Sequence, residues 1–433
     1  MAKRSKKAKI KGSKGAIVAL VVIVVVFCVA MFVVDSNPTG VEVLDNLAHT
    51  VVQTIKNLFA STENPEPPQP TPPVNSQTYN VEQIQQEDLS IHFLQLGSDK
   101  TGDCVYIKAG ETDLLIDAGA ENASAPTLVA YLNQFVTDGK LEYVVATHGH
   151  EDHLGAFYSQ SGRAGIFETY QTGTIIDFPL TNKTNPSDTS VVGRYYLARQ
   201  GEIEQGAVHY TAAQCFNQQD GAKRVYKLSD TVELEILYNY YYFNTQSSGE
   251  NDYSVCVMIN QYLPGYDPSN VNNEQFVNHY LFTGDLEAKG EKKMVEYYNQ
   301  QGNPLPKCVL YKAGHHGSKT SSCDELMQVV QPQYVCVCCC AGTDEYTDAN
   351  ENQFPTQQFV DVISKYTSNV YVTTVVDDYE QGTVKPMNGD IVFACTNGNV
   401  KMYFSNNDTK LCQTDWFKQH RICPENWLEL QSQ

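Results

Sequence analysis

At 433 residues, with 42% hydrophobic residues and a formal net charge of −20, the chain can build one large core or two modest ones. The charge is uneven: the first fourteen residues hold seven Lys or Arg and no acid, leaving 23 basic against 50 acidic residues in the rest. A body near −27 repels polyanions at long range, which counts against unaided, non-specific nucleic-acid binding.

Residues 1–15 read as a basic cytoplasmic tail. Residues 16–34 follow without a charge, proline or glycine, long enough to span a bilayer core as one transmembrane helix. The cationic flank precedes this span, which predicts a single-pass cell-membrane protein with its body outside the cytoplasm. A cleaved signal peptide is the rival reading; the length of the run and the lack of a small-x-small site after it count against that. Residues 35–86 carry a juxtamembrane helix, with Val41, Leu44, Leu47, Val51, Ile55 and Leu58 at helical spacing, then a Pro-rich linker over 62–75.

The body is expected over 87–405, followed by a C-terminal extension at 406–433 that holds both tryptophans, Trp416 and Trp427. Strands are predicted at 91–97, 103–108 and 112–117, the last running into Asp117-Ala-Gly. Helical periodicity over 126–135 then leads, in a parallel β-α-β step, to a strand at 141–146. That strand delivers Thr147-His-Gly-His-Glu-Asp-His153. His148 and His150 lie two apart, so both rings can point to one side of an extended turn. Asp152 and His153 are adjacent and diverge, which suits a second ion nearby. Imidazole and carboxylate are ligands for zinc, manganese or iron.

Beyond this loop, a strand is predicted near 173–178, a helix over 191–204 and strands within 225–242. Asn251-Asp-Tyr-Ser254 opens another strand. Tyr280-Leu-Phe-Thr-Gly-Asp285 is a strand ending in a carboxylate, followed by a helix over 287–299. A strand at 307–312 delivers Ala-Gly-His315-His316-Gly-Ser318. Ser318, Lys319 and Thr320 offer hydroxyls and an ammonium beside those histidines, a cluster suited to holding a phosphate. Helices over 322–330 and 353–365 and strands at 370–376, 388–393 and 400–404 complete the body.

Thirteen cysteines are many; outside the cell, pairs such as Cys412 with Cys423 are disulfide candidates. Cys336, Cys338, Cys339 and Cys340 fall in a strand, so they face two ways and read as buried small hydrophobes, not one metal site.

H-x-H-x-D-H after a strand, T-G-D at a second strand end and G-H-H-G-S at a third resemble the metallo-β-lactamase superfamily. The resemblance is to the hydrolase-like domain of the competence protein ComEC and its stand-alone relatives. It implies a four-layer αββα sandwich of α/β class, here preceded by the transmembrane helix. It also implies two divalent ions, Zn or Mn, with His148, His150, Asp152, His153, Asp285 and His315 or His316 as ligands. By the same resemblance Asp285 bridges the ions and Asp117 orients the histidine loop from behind. Asp152 is in addition the candidate catalytic residue, orienting the nucleophile. A third ligand for the first ion is left open, with His209 and His279 unassigned.

The function expected is a membrane-anchored, extracytoplasmic phosphodiesterase using a di-metal-activated water, with DNA or a nucleotide as the candidate substrate. Two alternatives stand beside it. One is hydrolysis of small or cell-envelope phosphoesters; the other is a non-catalytic metal-binding interaction or assembly protein.

Overall fold

The computed structural model describes residues 76–183, 185–245, 249–270, 273–378, 383–385 and 387–431. These fall within one compact unit, Pro70–Gln433. The expected basic tail, membrane span and juxtamembrane helix lie outside the described residues. Among the described residues no helix is long and apolar enough to cross a membrane.

Among the described residues seventeen strands make two sheets. In chain order they begin with β1 Ser76–Thr78, β2 Leu89–Phe93, β3 Val105–Ala109, β4 Thr112–Ile116, β5 Lys140–Ala146 and β6 Gln171–Asp177. Next come β7 Val208–Thr211, β8 Val225–Lys227, β9 Val232–Ile236, β10 Val257–Tyr262, β11 Val277–Phe282 and β12 Leu310–Lys312. The last are β13 Tyr334–Ala341, β14 Val370–Asp378, β15 Thr383–Lys385, β16 Ile391–Thr396 and β17 Asn399–Phe404. The first sheet runs β1-β17-β16-β2-β3-β4-β5-β6-β7, and the second β15-β14-β13-β12-β11-β10-β9-β8.

Aromatic side chains from the two sheets meet between them. Phe93 stacks on Phe282 at 6.4 Å, and Phe393 meets Tyr280 at 5.8 Å and Tyr334 at 5.3 Å. These contacts put the sheets face to face over a shared core. Helices α1 Ala125–Leu132 and α2 Val191–Glu204 follow β4 and β6, and bury Leu128, Leu132, Val192 and Tyr195 in that core. Helices α3 Ala288–Gln300, α4 Asp324–Val330 and α5 Gln357–Ile363 pack Met294, Leu326 and Phe359 in a second cluster with Leu281, Val335 and Val337 of the second sheet. The result is an α/β fold of mixed parallel and antiparallel sheets.

Local sequence explains several elements. Ser190 Oγ accepts from Gly193 N at 3.1 Å and starts α2; Thr356 Oγ1 accepts from Phe359 N at 3.4 Å and starts α5. β13 has parallel neighbours on both sides and is buried throughout, which is why it reads as an unbroken apolar run. Its cysteines divide between the faces: Cys336 and Cys338 enter the inter-sheet core, and Cys339 the helix-side cluster. All three are free thiols, which burial pushes well up from the ordinary range. Cys412 and Cys423, candidates for a disulfide, are free thiols as well.

Two boundaries differ from the sequence reading. β1 precedes residue 87 and adds to the sheet edge by pairing parallel with β17. The extension after 405 joins the second core, with Trp416, Phe417 and Trp427 buried there. Tyr240–Tyr242, read as strand, is a 3-10 turn, because Asn239 caps it by accepting from Tyr241 N at 3.0 Å.

Candidate metal centre

The centre starts from a brace behind the histidine loop. β4 and β5 pair in parallel, with Ile116 opposite Val145, so their ends emerge side by side. Asp117 leaves β4 with φ of 59° and turns its carboxylate under the loop. Its Oδ1 accepts from Thr147 N at 2.7 Å, and its Oδ2 accepts from Thr147 Oγ1 and His153 Nδ1, each at 2.7 Å. The expected orienting role of Asp117 thus has a geometry: one carboxylate ties the first residue of the loop to the last. It also fixes the His153 proton on Nδ1 and leaves Nε2 bare.

Two loops from the second sheet close on this one. β11 ends in Thr283-Gly284-Asp285, where Ser254 Oγ accepts from Asp285 N at 3.0 Å. Gly284 has φ of 54°, and a Cβ there would sit 3.0 Å from Thr147 Cβ and 2.9 Å from Ser254 Oγ. The close approach of the two loops therefore requires glycine. β12, parallel to β11, ends in Ala313-Gly314-His315-His316. Both histidines sit in the left-handed region, at φ of 46° and 52°. Two consecutive non-glycine residues there carry backbone strain, of the kind that collects at functional sites.

Asp285 Oδ2 is the meeting point. It lies 3.2 Å from His153 Nε2, 3.4 Å from His316 Nε2, 3.8 Å from His315 Nε2 and 3.9 Å from His148 Nε2. Asp152 Oδ2 faces the same pair of rings, 3.4 Å from His316 Nε2 and 3.9 Å from His153 Nε2. His148 Nε2 stands 3.1 Å from His150 Nδ1, forming a second donor group on the other flank of the loop. The structure thus gathers His148, Asp152, His153, His315 and His316 around Asp285, with His150 reaching His148.

The donor set fits a divalent cation on three counts. Both Asp285 oxygens, His153 Nε2 and His316 Nε2 are buried without a hydrogen-bond partner among the described residues, costly for polar atoms that have no cation to meet. Ligand bonds of about 2.1 Å place neighbouring donors of a tetrahedron roughly 3.4 Å apart. The four contacts among Asp152, His153, Asp285 and His316 run from 3.2 to 3.9 Å. The far ring nitrogens are also occupied: His316 Nδ1 donates to Cys338 O at 2.9 Å, and His148 Nδ1 lies 3.2 Å from Thr147 Oγ1.

Charge points the same way. Burial lowers the His153 and His316 imidazoles, but Asp285 and the other carboxylates outweigh it and hold both well above the ordinary histidine range. Burial would raise Asp285, and His153 and His316 hold it well below the carboxylate range instead. At His148 burial wins, reinforced by His153, and the ring is pushed well down. Cations and protons would therefore compete for the same nitrogens.

Two residues of the centre were not in the expected set. Asp103 lies within the same donor cluster, its ligand atom within 4.8 Å of those of His153, Asp285 and His316. Its Oδ2 is bound by Lys312 Nζ, and its Oδ1 is 3.2 Å from His316 Nδ1. Asp103 therefore meets the backs of the rings, and supports them from beneath while Asp152 and Asp285 meet the bare Nε2 atoms. Lys312 Nζ is also 4.0 Å from Asp285 Oδ1. The Asp103 N–H donates to Asp152 O at 2.9 Å, fastening this turn to the histidine loop. The signal for Asp103 was the Gly102-Asp103 pair opening a strand; for Lys312 it was a lone charge in an apolar strand just before the histidines.

A cavity of about 590 Å³ opens onto the centre, lined by His150, Asp152 and His315, by Tyr346 and Phe354, and by Lys100, Ala120, Glu121, Glu151 and Glu345. Ser318, Lys319 and Thr320 do not line it. Ser318 Oγ and Thr320 Oγ1 hydrogen-bond each other at 3.1 Å, Thr320 Oγ1 meets His315 Nδ1 at 2.9 Å, and Lys319 Nζ is exposed and donates to Asn352 at 2.6 Å. The phosphate-holding cluster expected there is corrected on this geometry: the polar atoms of the three residues are engaged with one another, with His315 and with Asn352, and the ammonium on the cavity wall is Lys100. His209 and His279 lie elsewhere, on Asp177 at 2.8 Å and Asn260 at 2.7 Å respectively.

Residues 98–159 match the family model of the metallo-beta-lactamase superfamily. ComE operon protein 3 of Bacillus subtilis (strain 168) is 29% identical over 114 residues, 25% of this chain and 13% of that protein's length. The metallo-beta-lactamase fold protein YhfI from Bacillus subtilis aligns at 10% identity over 66% of this chain and 96% of its own, with a TM-score of 0.33. A probable metal-dependent hydrolase from Staphylococcus aureus aligns at 15% identity over 46% of this chain and 73% of its own, with a TM-score of 0.25. The matched segment, 98–159, holds Asp103, Asp117 and the whole histidine loop, so the similarity to the metallo-beta-lactamase superfamily falls on the part of the chain that builds this side of the centre.

Proposed function

We propose that the chain hydrolyses a small phosphodiester at a two-cation centre. The carrying observation is Asp285 Oδ2 facing four imidazoles at 3.2 to 3.9 Å while neither of its oxygens has a hydrogen-bond partner among the described residues. His148 and His150 would hold one ion and Asp152, His153 and His316 the other, with Asp285 between them; Zn and Mn both suit these donors. When bound, such cations make water more acidic and offset charge on phosphoester oxygens.

The chain's own residues divide the remaining work. Asp152 has a side chain 15% exposed where His153 and His316 are fully buried, so its carboxylate reaches both the buried rings and the cavity. It is placed to ligate and to orient the attacking water. Asp117 and Asp103 hold the rings from behind and take no part at the cavity.

The wall sets the substrate class. Glu121, Glu151 and Glu345 stand on it against a single ammonium, Lys100, itself 3.5 Å from Glu345. An acidic mouth disfavours a polynucleotide and a dianionic monoester more than a phosphodiester with one negative charge. This favours a small diester over DNA, and the volume lies in the range of small-molecule sites. The tether over 16–34 and an extracytoplasmic body belong to the same reading, supported by the seven cationic residues before that run. Protease added to intact cells should then remove the body.

The test is hydrolysis by the Mn- or Zn-loaded chain. Bis-p-nitrophenyl phosphate should be cleaved, p-nitrophenyl phosphate and single-stranded DNA much more slowly, and chelation or Asp152→Ala should abolish the reaction. Faster cleavage of DNA than of the small diester would overturn the substrate class. Diester cleavage that survives both chelation and Asp152→Ala would overturn the site.

A further inference from the structure

Of the ten described side chains lining the cavity, Tyr346 alone carries a hydroxyl. That hydroxyl donates to Asp152 Oδ2 at 3.0 Å. The same oxygen faces His316 Nε2 at 3.4 Å, so the phenol stands one atom away from the buried donors, on their open side.

Tyr346 is 54% exposed, yet it is held from both directions. Its ring lies 5.9 Å from that of Phe354, which packs 5.7 Å from His315 and 6.0 Å from His316. Its neighbour Glu345 accepts from Thr101 N at 2.7 Å, tying the segment to the turn that carries Asp103. An exposed tyrosine without such supports would sample many rotamers. This one is fixed over the centre.

The rest of the wall shows what it adds. The glutamates and Asp152 are acceptors only when ionised, and Lys100 is turned to Glu345. A substrate whose oxygens gain negative charge finds a neutral O–H donor on this wall only at Tyr346.

We propose that Tyr346 is a catalytic residue: its hydroxyl hydrogen-bonds a phosphoryl oxygen of the substrate at the reacting centre. With a cation on Asp152 Oδ2 that oxygen would be a poorer acceptor, and the phenol hydrogen would be free to turn to the substrate oxygen. No proton leaves the tyrosine, and its part is donation aimed at developing charge. The assignment deepens the hydrolase reading and rests on it for the identity of the reacting group.

The experiment compares the full chain with Tyr346→Phe, both loaded with Mn. Turnover of bis-p-nitrophenyl phosphate should fall about 100-fold in kcat, the scale of losing one such donor, with KM changed by less than about threefold. Metal content per chain should stay at the wild-type value, which a merely structural role at Asp152 would not guarantee. Calorimetric titration with inorganic phosphate gives a readout free of turnover: Tyr346→Phe should bind it about tenfold more weakly, the cost of roughly one hydrogen bond to an anion. Unchanged phosphate affinity, or a kcat within about threefold of wild type, would overturn the assignment. A wild-type chain that cleaves no ester would overturn the hydrolase reading instead, and the phosphate titration would then decide Tyr346 by itself.

Discussion

Asp117 Oδ2 accepts from His153 Nδ1 at 2.7 Å, and through this bond the end of β4 sets which nitrogen of a buried ring faces Asp285. A carboxylate accepts only, so His153 must carry its proton on Nδ1 and present Nε2 to a cation. Asp117→Asn keeps the shape of the side chain and weakens that demand. Metal affinity should fall by about 10- to 100-fold, as for other groups that orient a ligating histidine. Competition with a chromophoric chelator measures it, and an unchanged affinity would mean the loop is fixed without Asp117.

The ion pair between Lys312 and Asp103 lies under the centre, with side chains 3% and 2% exposed. Burial lowers the Lys312 ammonium, but Asp103 and Asp285 outweigh this and hold it above its ordinary range. Lys312→Met leaves two buried carboxylates without their cation, and should cost about 3–5 kcal/mol of stability. Urea unfolding reads the loss. The double variant Lys312→Met with Asp103→Asn should recover part of it, since one of the stranded charges is gone.

Glu291 gives a pH signature away from the centre. Its carboxylate is buried on α3, accepting from Ser322 N at 2.8 Å and Cys323 N at 2.7 Å, and burial pushes it up to about 7 despite those bonds. A carboxyl raised on folding binds its proton more tightly in the folded chain. Stability from this group is therefore present below the unfolded value of 4.5 and is lost as pH rises to about 7. Unfolding measured from pH 4 to 8 should show the wild type losing up to ~3 kcal/mol relative to Glu291→Gln across that window. Parallel curves for the two would contradict the assignment.

What the sequence told and what it hid follow one rule. Thr147–His153, Asp285 and His315-His316 were legible because each group is local: a strand end followed by ligand-type residues. The helix over 191–204 was legible because Ser190 caps it and Val192 and Tyr195 recur at its buried face. Asp103 and Lys312 escaped because their roles arise from a pairing across 209 residues, and Tyr346 reaches Asp152 across 194. Ser318-Lys319-Thr320 misled because closeness to a histidine was read as access to the cavity, whereas their polar atoms turn to one another, to His315 and to Asn352. The edge strand β7 went unseen because Val208-His-Tyr-Thr is short and half-exposed, with no apolar alternation.

The most direct test of the account is the metal content of the purified chain, wild type against Asp285→Asn, by elemental analysis after equilibration with Mn or Zn and removal of free ions. With Asp285 Oδ2 shared between His148 on one side and His153 and His316 on the other, the wild type should retain about two ions per chain. Asp285→Asn should lose at least one of them, along with hydrolysis of bis-p-nitrophenyl phosphate. Two ions retained in Asp285→Asn, or none in the wild type, would contradict a centre built around that carboxylate.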